Sequence, residues 1–327
     1  MNEELVNENY IKNKDDFESA HMRDDEYISK QKDMFNLHLG EALSIDETYS
    51  ITAKDKTKLI ILAGPSECGK TTLITTIYQL FHKAPINKLY FAGSQTIKGF
   101  EQRAYHTRTN SGMNIPNTQR TRIGSIDSFL HLKLWNSSSL LKHTFLLADF
   151  SGEDFKNARS NVEMMKEDFS IIRRADFLVI IIDGNAITQK DKRYSAVQIT
   201  QDLLRTIKNA DILKNNTKIC FVFSKNDIVK MRCDEDPSLR RFIDKTQDKL
   251  KDICKDIKIE NEIQFYNISA MPENTEILPI GYGIHELIGE WTKEFLISND
   301  TIFQNQNELK SEFNRFYKKV LGEGRNE

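Results

Sequence analysis

The sequence predicts an α/β fold, with a mostly parallel sheet and helices on both of its faces. Three observations lead there. Lys58-Leu-Ile-Ile-Leu-Ala-Gly64, Phe177-Leu-Val-Ile-Ile-Ile182 and Lys218–Phe223 are short apolar runs, which read as strands buried on both faces. Amphipathic helical stretches alternate with them. The first run ends in a glycine turn that leads straight into a helix.

In chain order, residues 1–36 carry ten acidic and five basic side chains among scattered apolar ones, and read as a solvated arm or a docking helix. After the strand at 58–64, a helix is expected from Lys70 to His82, with Leu73, Ile74, Ile77, Leu80 and Phe81 facing inward. Residues 91–125 show no clear period and read as a long functional loop, with a short helix around Phe100–Ala104. Two strands follow, Ser128–Trp135 and Thr144–Phe150, joined at Asn136-Ser-Ser-Ser139; the first alternates like a half-exposed strand. Next come a charged helix (about 156–174), the strand at 177–182, a helix (about 195–213) and the strand at 218–223. A helix (about 238–256), a strand (263–268) and a helix (about 284–296) complete the pattern. A final helix at about Gln304–Leu321 packs on the domain or on a partner. The expected organisation is a polar extension over 1–56, one main domain over 57–298 and a C-terminal helix over 299–327.

Composition narrows the function. Lys plus Arg total 46 and Asp plus Glu total 48, a net charge of −2, so bulk charge does not hold this chain to nucleic acid. No apolar run is long enough for a transmembrane helix. The acidic, polar start lacks the pattern of a secretory signal, so a cytoplasmic protein is expected. Cys68, Cys220, Cys233 and Cys254 form no CxxC pair and no zinc spacing, and are expected to be reduced thiols, mostly inside the fold. His82, His106, His131 and His143 are dispersed and expected at the surface or at edges.

Gly64-Pro-Ser-Glu-Cys-Gly-Lys-Thr71 matches G-x-x-x-x-G-K-[ST], with a strand before it and a helix after it. Glycines let such a loop turn its amides onto phosphate oxygens, and the helix start adds its positive end. Gly64, Ser66, Glu67, Cys68, Gly69, Lys70, Thr71 and Thr72 are therefore candidate nucleotide-binding residues. Lys70 should reach the β- and γ-phosphates, and the Thr71 hydroxyl should ligate Mg²⁺. Cys68 within the loop is a small tolerated side chain or a redox-sensitive one.

Three more signals follow in order at predicted strand ends: Asp149-Phe-Ser-Gly152 fits D-x-x-G, Ser224-Lys-Asn-Asp227 approximates [NT]-K-x-D, and Ser269-Ala270 follows the last strand. This series resembles the Ras-like GTPases of the TRAFAC class. The resemblance implies that Asp149 holds Mg²⁺, that the Gly152 amide contacts the γ-phosphate and that Asp227 accepts hydrogen bonds from guanine. Lys225 would lie along the base, and the Ser269 and Ala270 backbone would approach its carbonyl oxygen. A loop threonine, Thr118 or Thr121, would complete the metal site; Thr121 is preferred because it lies nearer the next strand. Ser224 departs from the motif's usual first residue. Glu153 stands where a water-orienting glutamine is common, so slow intrinsic hydrolysis is expected, or Glu153 faces solvent without a catalytic role. Arg103, Arg108, Arg120 and Arg122 are surface residues or include an arginine finger.

The segments Phe91–Arg103, Phe129-Leu-His-Leu132, Ala148–Phe155 and Ala175–Gly184 resemble bacterial double-GTPase domain proteins, over roughly residues 58–295. That likeness implies a GTP/GDP-binding switch with Mg²⁺ as cofactor and a protein effector or a second copy as partner, in a bacterial conflict or defence system. Two other readings stay open: a nucleotide-holding interaction module with little turnover, and an ATP-dependent kinase sharing the loop.

Overall fold

The computed structural model describes residues 39–105 and 128–293. The strands are β1 (Thr57–Ala63), β2 (Leu89–Gly93), β3 (Phe129–Asn136), β4 (Lys142–Asp149), β5 (Phe177–Ile182), β6 (Lys218–Phe223) and β7 (Ile263–Asn267). They form one sheet in the order β2-β3-β4-β1-β5-β6-β7. β4, β1, β5, β6 and β7 run parallel; at one side β3 pairs antiparallel with β4, and β2 antiparallel with β3. The helices are α1 (Ile45–Thr52), α2 (Lys70–Lys83), α3 (Ile97–Ala104), α4 (Gly152–Ala158), α5 (Val162–Asp168), α6 (Gly184–Thr188), α7 (Arg193–Asn209), α8 (Asn226–Glu235), α9 (Pro237–Asp256) and α10 (Ile284–Thr292).

Strand periodicity divides the core into two faces. Leu59, Ile61, Leu178, Ile180, Ile219 and Phe221 point to one face, where Leu203 and Leu204 of α7 and Leu250 of α9 join the same cluster. Ile60, Leu62, Val179, Ile181 and Val222 point to the other, and all are buried. α2 belongs to that second side: its Tyr78 stacks on Phe100 at 4.6 Å and meets Phe91 of β2 edge-on. Leu73, Ile74, Ile77 and Phe81 are buried as expected, but Leu80 is only half-buried while Tyr78 is buried.

Several local expectations are corrected. The segment read as a loop from residue 91 begins with the end of β2, because pairing with β3 supplies the order that local periodicity does not; the short helix expected around Phe100–Ala104 is present as α3. β3 is buried on both faces rather than half-exposed: Phe129 and Leu130 are 2% and 0% exposed. The helix expected over 156–174 is α4, α5 and a short 3-10 turn. Ser151 and Asn161 each cap a new helix start, accepting from Glu153 N and Met164 N, and so break the run. Residues 39–56 include α1. Leu43 exchanges two backbone hydrogen bonds with Phe129, at 2.8 and 2.9 Å, and is fully buried. The chain divides into Met1–Leu287 and Ile288–Glu327; of the second unit only residues 288–293 are described. The arm at 1–36 and the helix at 304–321 lie outside the described residues.

His131 and His143 are buried, not at the surface, because both lie on strands interior to the sheet. His131 Nδ1 accepts the Gln95 amide at 3.0 Å. Burial, helped by nearby Lys133, lowers its pKa to about 4. The unfolded chain protonates this ring near its ordinary value of about 6.5. Between those values the unfolded state binds the extra proton, so this site's contribution to stability is complete above about 6.5 and is lost as pH falls toward 4. Thermal melts from pH 7.5 to 4.5 should show a shallower acid decline in His131→Gln than in the parent. Parallel declines would contradict this assignment.

Candidate functional site

The site lies at the carboxyl ends of β1, β4, β5, β6 and β7, where α/β sheets gather their ligands. β1 delivers the chain into residues 64–69. A Cβ on Gly64 would stand 2.7 Å from the Ile181 carbonyl oxygen and 2.9 Å from Cys68 Sγ, so only glycine fits there. Glu67 and Gly69 take positive φ, 63° and 98°, and turn the chain into α2. Lys70 folds back over this loop: its Nζ donates to the Gly64 and Pro65 carbonyls, both at 2.9 Å. Cys68 is fully buried beneath the loop, and burial raises its thiol pKa. That suits packing rather than redox chemistry.

Asp149, at the end of β4, is fully buried. Its Oδ2 accepts Thr71 Oγ1 at 2.9 Å and lies 3.7 Å from Arg103 Nε. Arg103 is held in place by donating Nη1 to the Gly99 carbonyl and Nη2 to Ser128 Oγ. A carboxylate and a hydroxyl this close are the hard oxygen donors that Mg²⁺ takes, and bound phosphates and water complete such a shell. The residues present therefore fit the cation. No group of three or more His, Cys, Asp or Glu capable of holding a metal occurs among the described residues. Thr118, Thr121, Arg108, Arg120 and Arg122 lie outside the described residues.

Beyond Asp149, Ser151 caps α4 and Gly152 presses on the loop. A Cβ there would meet Ser66 N at 2.2 Å and Pro65 C at 2.6 Å. Glu153 Oε1 accepts Ser66 Oγ at 2.9 Å. Phe150 and Phe155 anchor this segment from below, packing edge-on to each other at 5.8 Å and both against Phe169.

At the other end of the site, Lys225 sits in the left-handed region with φ 51° and leads into α8. Its ammonium pairs with Asp183 Oδ1 at 3.0 Å. Ser224 Oγ donates to the Ile182 carbonyl at 3.2 Å. Asp227, 3% exposed, accepts Ser269 Oγ at 2.5 Å on one oxygen and the Glu273 amide at 2.9 Å on the other. An ionised carboxylate has about four acceptor positions, so each oxygen keeps one. A cavity of about 200 Å³ joins the two ends, with Gly69 and Thr72 on its phosphate-loop side and Lys225, Asp227 and Ala270 on the other.

A family model for Double-GTPase 2 matches residues 58–292. The chain belongs to the Double-GTPase 2 family. No curated protein is a significant match to this Double-GTPase 2 chain. Among solved structures it is similar to the signal recognition particle receptor SRβ–GTP/SRX complex from Chaetomium thermophilum, with 16% identity, 72% of this chain, 99% of that chain and a TM-score of 0.39. It is also similar to the GTP-bound Ski7 GTPase-like domain of S. cerevisiae, with 14% identity, 79% and 55% coverage and a TM-score of 0.40. A third is elongation factor SelB from Methanococcus maripaludis with a GTP analogue, with 16% identity, 73% and 35% coverage and a TM-score of 0.36. The chain spans about half or less of the length of the last two. No helix among the described residues is long and apolar enough to cross a membrane.

Within this Double-GTPase 2 domain, Lys70, Thr71, Asp149, Gly152 and Glu153 come together at the loop, and Lys225, Asp227 and Ala270 at the far end of the cavity, with Ser269 bonded to Asp227. Sequence reasoning assigned Asp183 no role. It follows the buried strand β5 at the same edge of the sheet where Asp149 ends β4, and that strand-end position was the available signal.

Proposed function

We propose that this protein is a nucleotide-dependent switch that binds GTP with Mg²⁺ and hydrolyses it slowly to GDP. The observation that carries the reading is the cavity lined by Gly69, the last residue of the glycine loop, by Thr72 of the helix after it, and by Lys225 and Asp227. One end adjoins the glycine loop at Gly69, and the other holds a buried carboxylate, Asp227, with spare acceptor positions.

In this reading Lys70 leaves the loop carbonyls for the β- and γ-phosphates. Asp227 accepts guanine N1–H and the 2-amino group. Lys225, steadied by Asp183, lies along the base. Mg²⁺ would be held by Thr71, Asp149 and Thr121, and when bound it neutralises charge on the phosphate oxygens. The Gly152 amide contacts the γ-phosphate, which orders this segment and releases it after hydrolysis. Arg103 already stands beside Asp149 and offers its charge within the same chain. An activating protein partner, a second copy or a role in bacterial defence is part of this proposal on the family resemblance alone.

A carboxylate at 153, engaged with Ser66, is poorly suited to orient a water against a γ-phosphate. Single-turnover phosphate release at saturating GTP should therefore be slow, on the order of 10⁻⁴ s⁻¹ or below, the range of unassisted switch GTPases. Tight GTP binding with no release over many hours favours the second reading, a nucleotide-holding module. Release at several per second would overturn the assignment of Glu153.

A further inference from the structure

The peptide unit joining Pro65 to Ser66 is approached from two sides. Lys70 Nζ is 2.9 Å from its carbonyl oxygen. Gly152 lies against its other parts, with a hypothetical Cβ 2.2 Å from Ser66 N and 2.6 Å from Pro65 C. The Ser66 side chain then binds Glu153 at 2.9 Å. Any phosphate that Lys70 holds at this loop must lie close to that peptide, so a third phosphate and the Glu153 carboxylate compete for one neighbourhood. Both are anions and repel where they meet, although the Ser66–Glu153 pair is exposed and Lys156 lies 4.0 Å from the other Glu153 oxygen.

The segment carrying Glu153 is not free to swing without cost. Ser151 caps the start of α4, and Phe155 stacks on Phe169 at 4.5 Å while touching Phe150. These contacts keep the carboxylate near Ser66 until the Ser66–Glu153 bond breaks.

We propose that Ser66 and Glu153 form a latch that discriminates GTP from GDP: the closed pair tolerates a diphosphate and excludes the γ-phosphate. The proposal rests on the reading of this cavity as a guanine-nucleotide site. A triphosphate must open the pair and push Glu153 away, whereas a diphosphate leaves it closed. The resting protein is therefore biased to the GDP state, and whatever draws Glu153 from Ser66 favours GTP loading.

The test is the affinity of full-length protein for GDP and for the non-hydrolysable GTP analogue GppNHp, each with Mg²⁺, by fluorescence titration. The parent should bind GDP at least tenfold tighter. Glu153→Gln keeps an acceptor for Ser66 but loses the charge; Ser66→Ala loses the bond but keeps the charge. Each should bring the ratio down, Glu153→Gln by about tenfold and Ser66→Ala by less, through tighter GppNHp binding. If both variants bind nucleotide with the parent's ratio, the latch is wrong while the site reading stands. If the parent binds neither nucleotide, both are overturned.

Discussion

Asp227→Asn should cut GTP affinity by about 100-fold or more and move the preference to XTP. Guanine offers two donors, N1–H and the 2-amino group, toward this position. A carboxylate accepts both; an asparagine amide presents one acceptor and sets its own NH₂ against the second donor. A site built to satisfy a donor pair rejects a mismatched partner far more sharply than a site built on shape alone. Xanthine carries a carbonyl in place of the 2-amino group, and the NH₂ of the introduced amide would donate to it. The position is well prepared for this role. Asp227 is nearly fully buried and fixed by Ser269 Oγ and the Glu273 amide, so it reads the base without first ordering itself. XTP binding by the variant also shows that it is folded. Competition titrations of GTP and XTP check this, and unchanged GTP affinity would remove Asp227 from the site.

Lys70→Ala should abolish measurable nucleotide binding while the fold persists. Lys70 is 6% exposed and spends its ammonium on two loop carbonyls. Phosphate oxygens are stronger partners than carbonyls for a buried cation. Hydrogen bonds to charged groups carry about 1.5–3 kcal/mol each, so losing two of them weakens binding by roughly 10²- to 10⁴-fold. Calorimetry reads the loss, and a thermal melt within a few degrees of the parent separates it from unfolding. Retained affinity in a folded variant would contradict the role of Lys70.

Much of this arrangement was legible in the sequence, for a physical reason. Strands buried on both faces must be apolar along their whole length, so β1, β5 and β6 announce themselves. Polar residues at or just beyond the ends of buried strands, Asp149 of β4 and Asp227 after β6 among them, then fall at the same edge of the sheet without further information. The elements that escaped are those ordered by distant partners. β2 alternates exposed residues with buried or half-buried ones over five positions and is a strand because β3 pairs with it. α8 buries only Asp227 and Val229 and starts where Asn226 donates its amide to the Ile268 carbonyl at 3.1 Å. α1 follows a backbone exchange between Leu43 and Phe129, far apart in the chain. Contacts at the site had the same limit. Arg103 meets Asp149, Glu153 meets Ser66 and Lys225 meets Asp183 across 46, 87 and 42 positions, distances over which no local spacing rule operates.

The most direct test of a guanine-nucleotide site is calorimetric binding of GTP and of ATP, each with Mg²⁺, to the purified full chain. GTP should bind at least tenfold tighter, a difference of about 1.4 kcal/mol, because adenine lacks both donors that Asp227 is placed to receive. ATP binding equal to or tighter than GTP would contradict the account, since the Lys225–Asp227 end of the cavity would then not be reading a base.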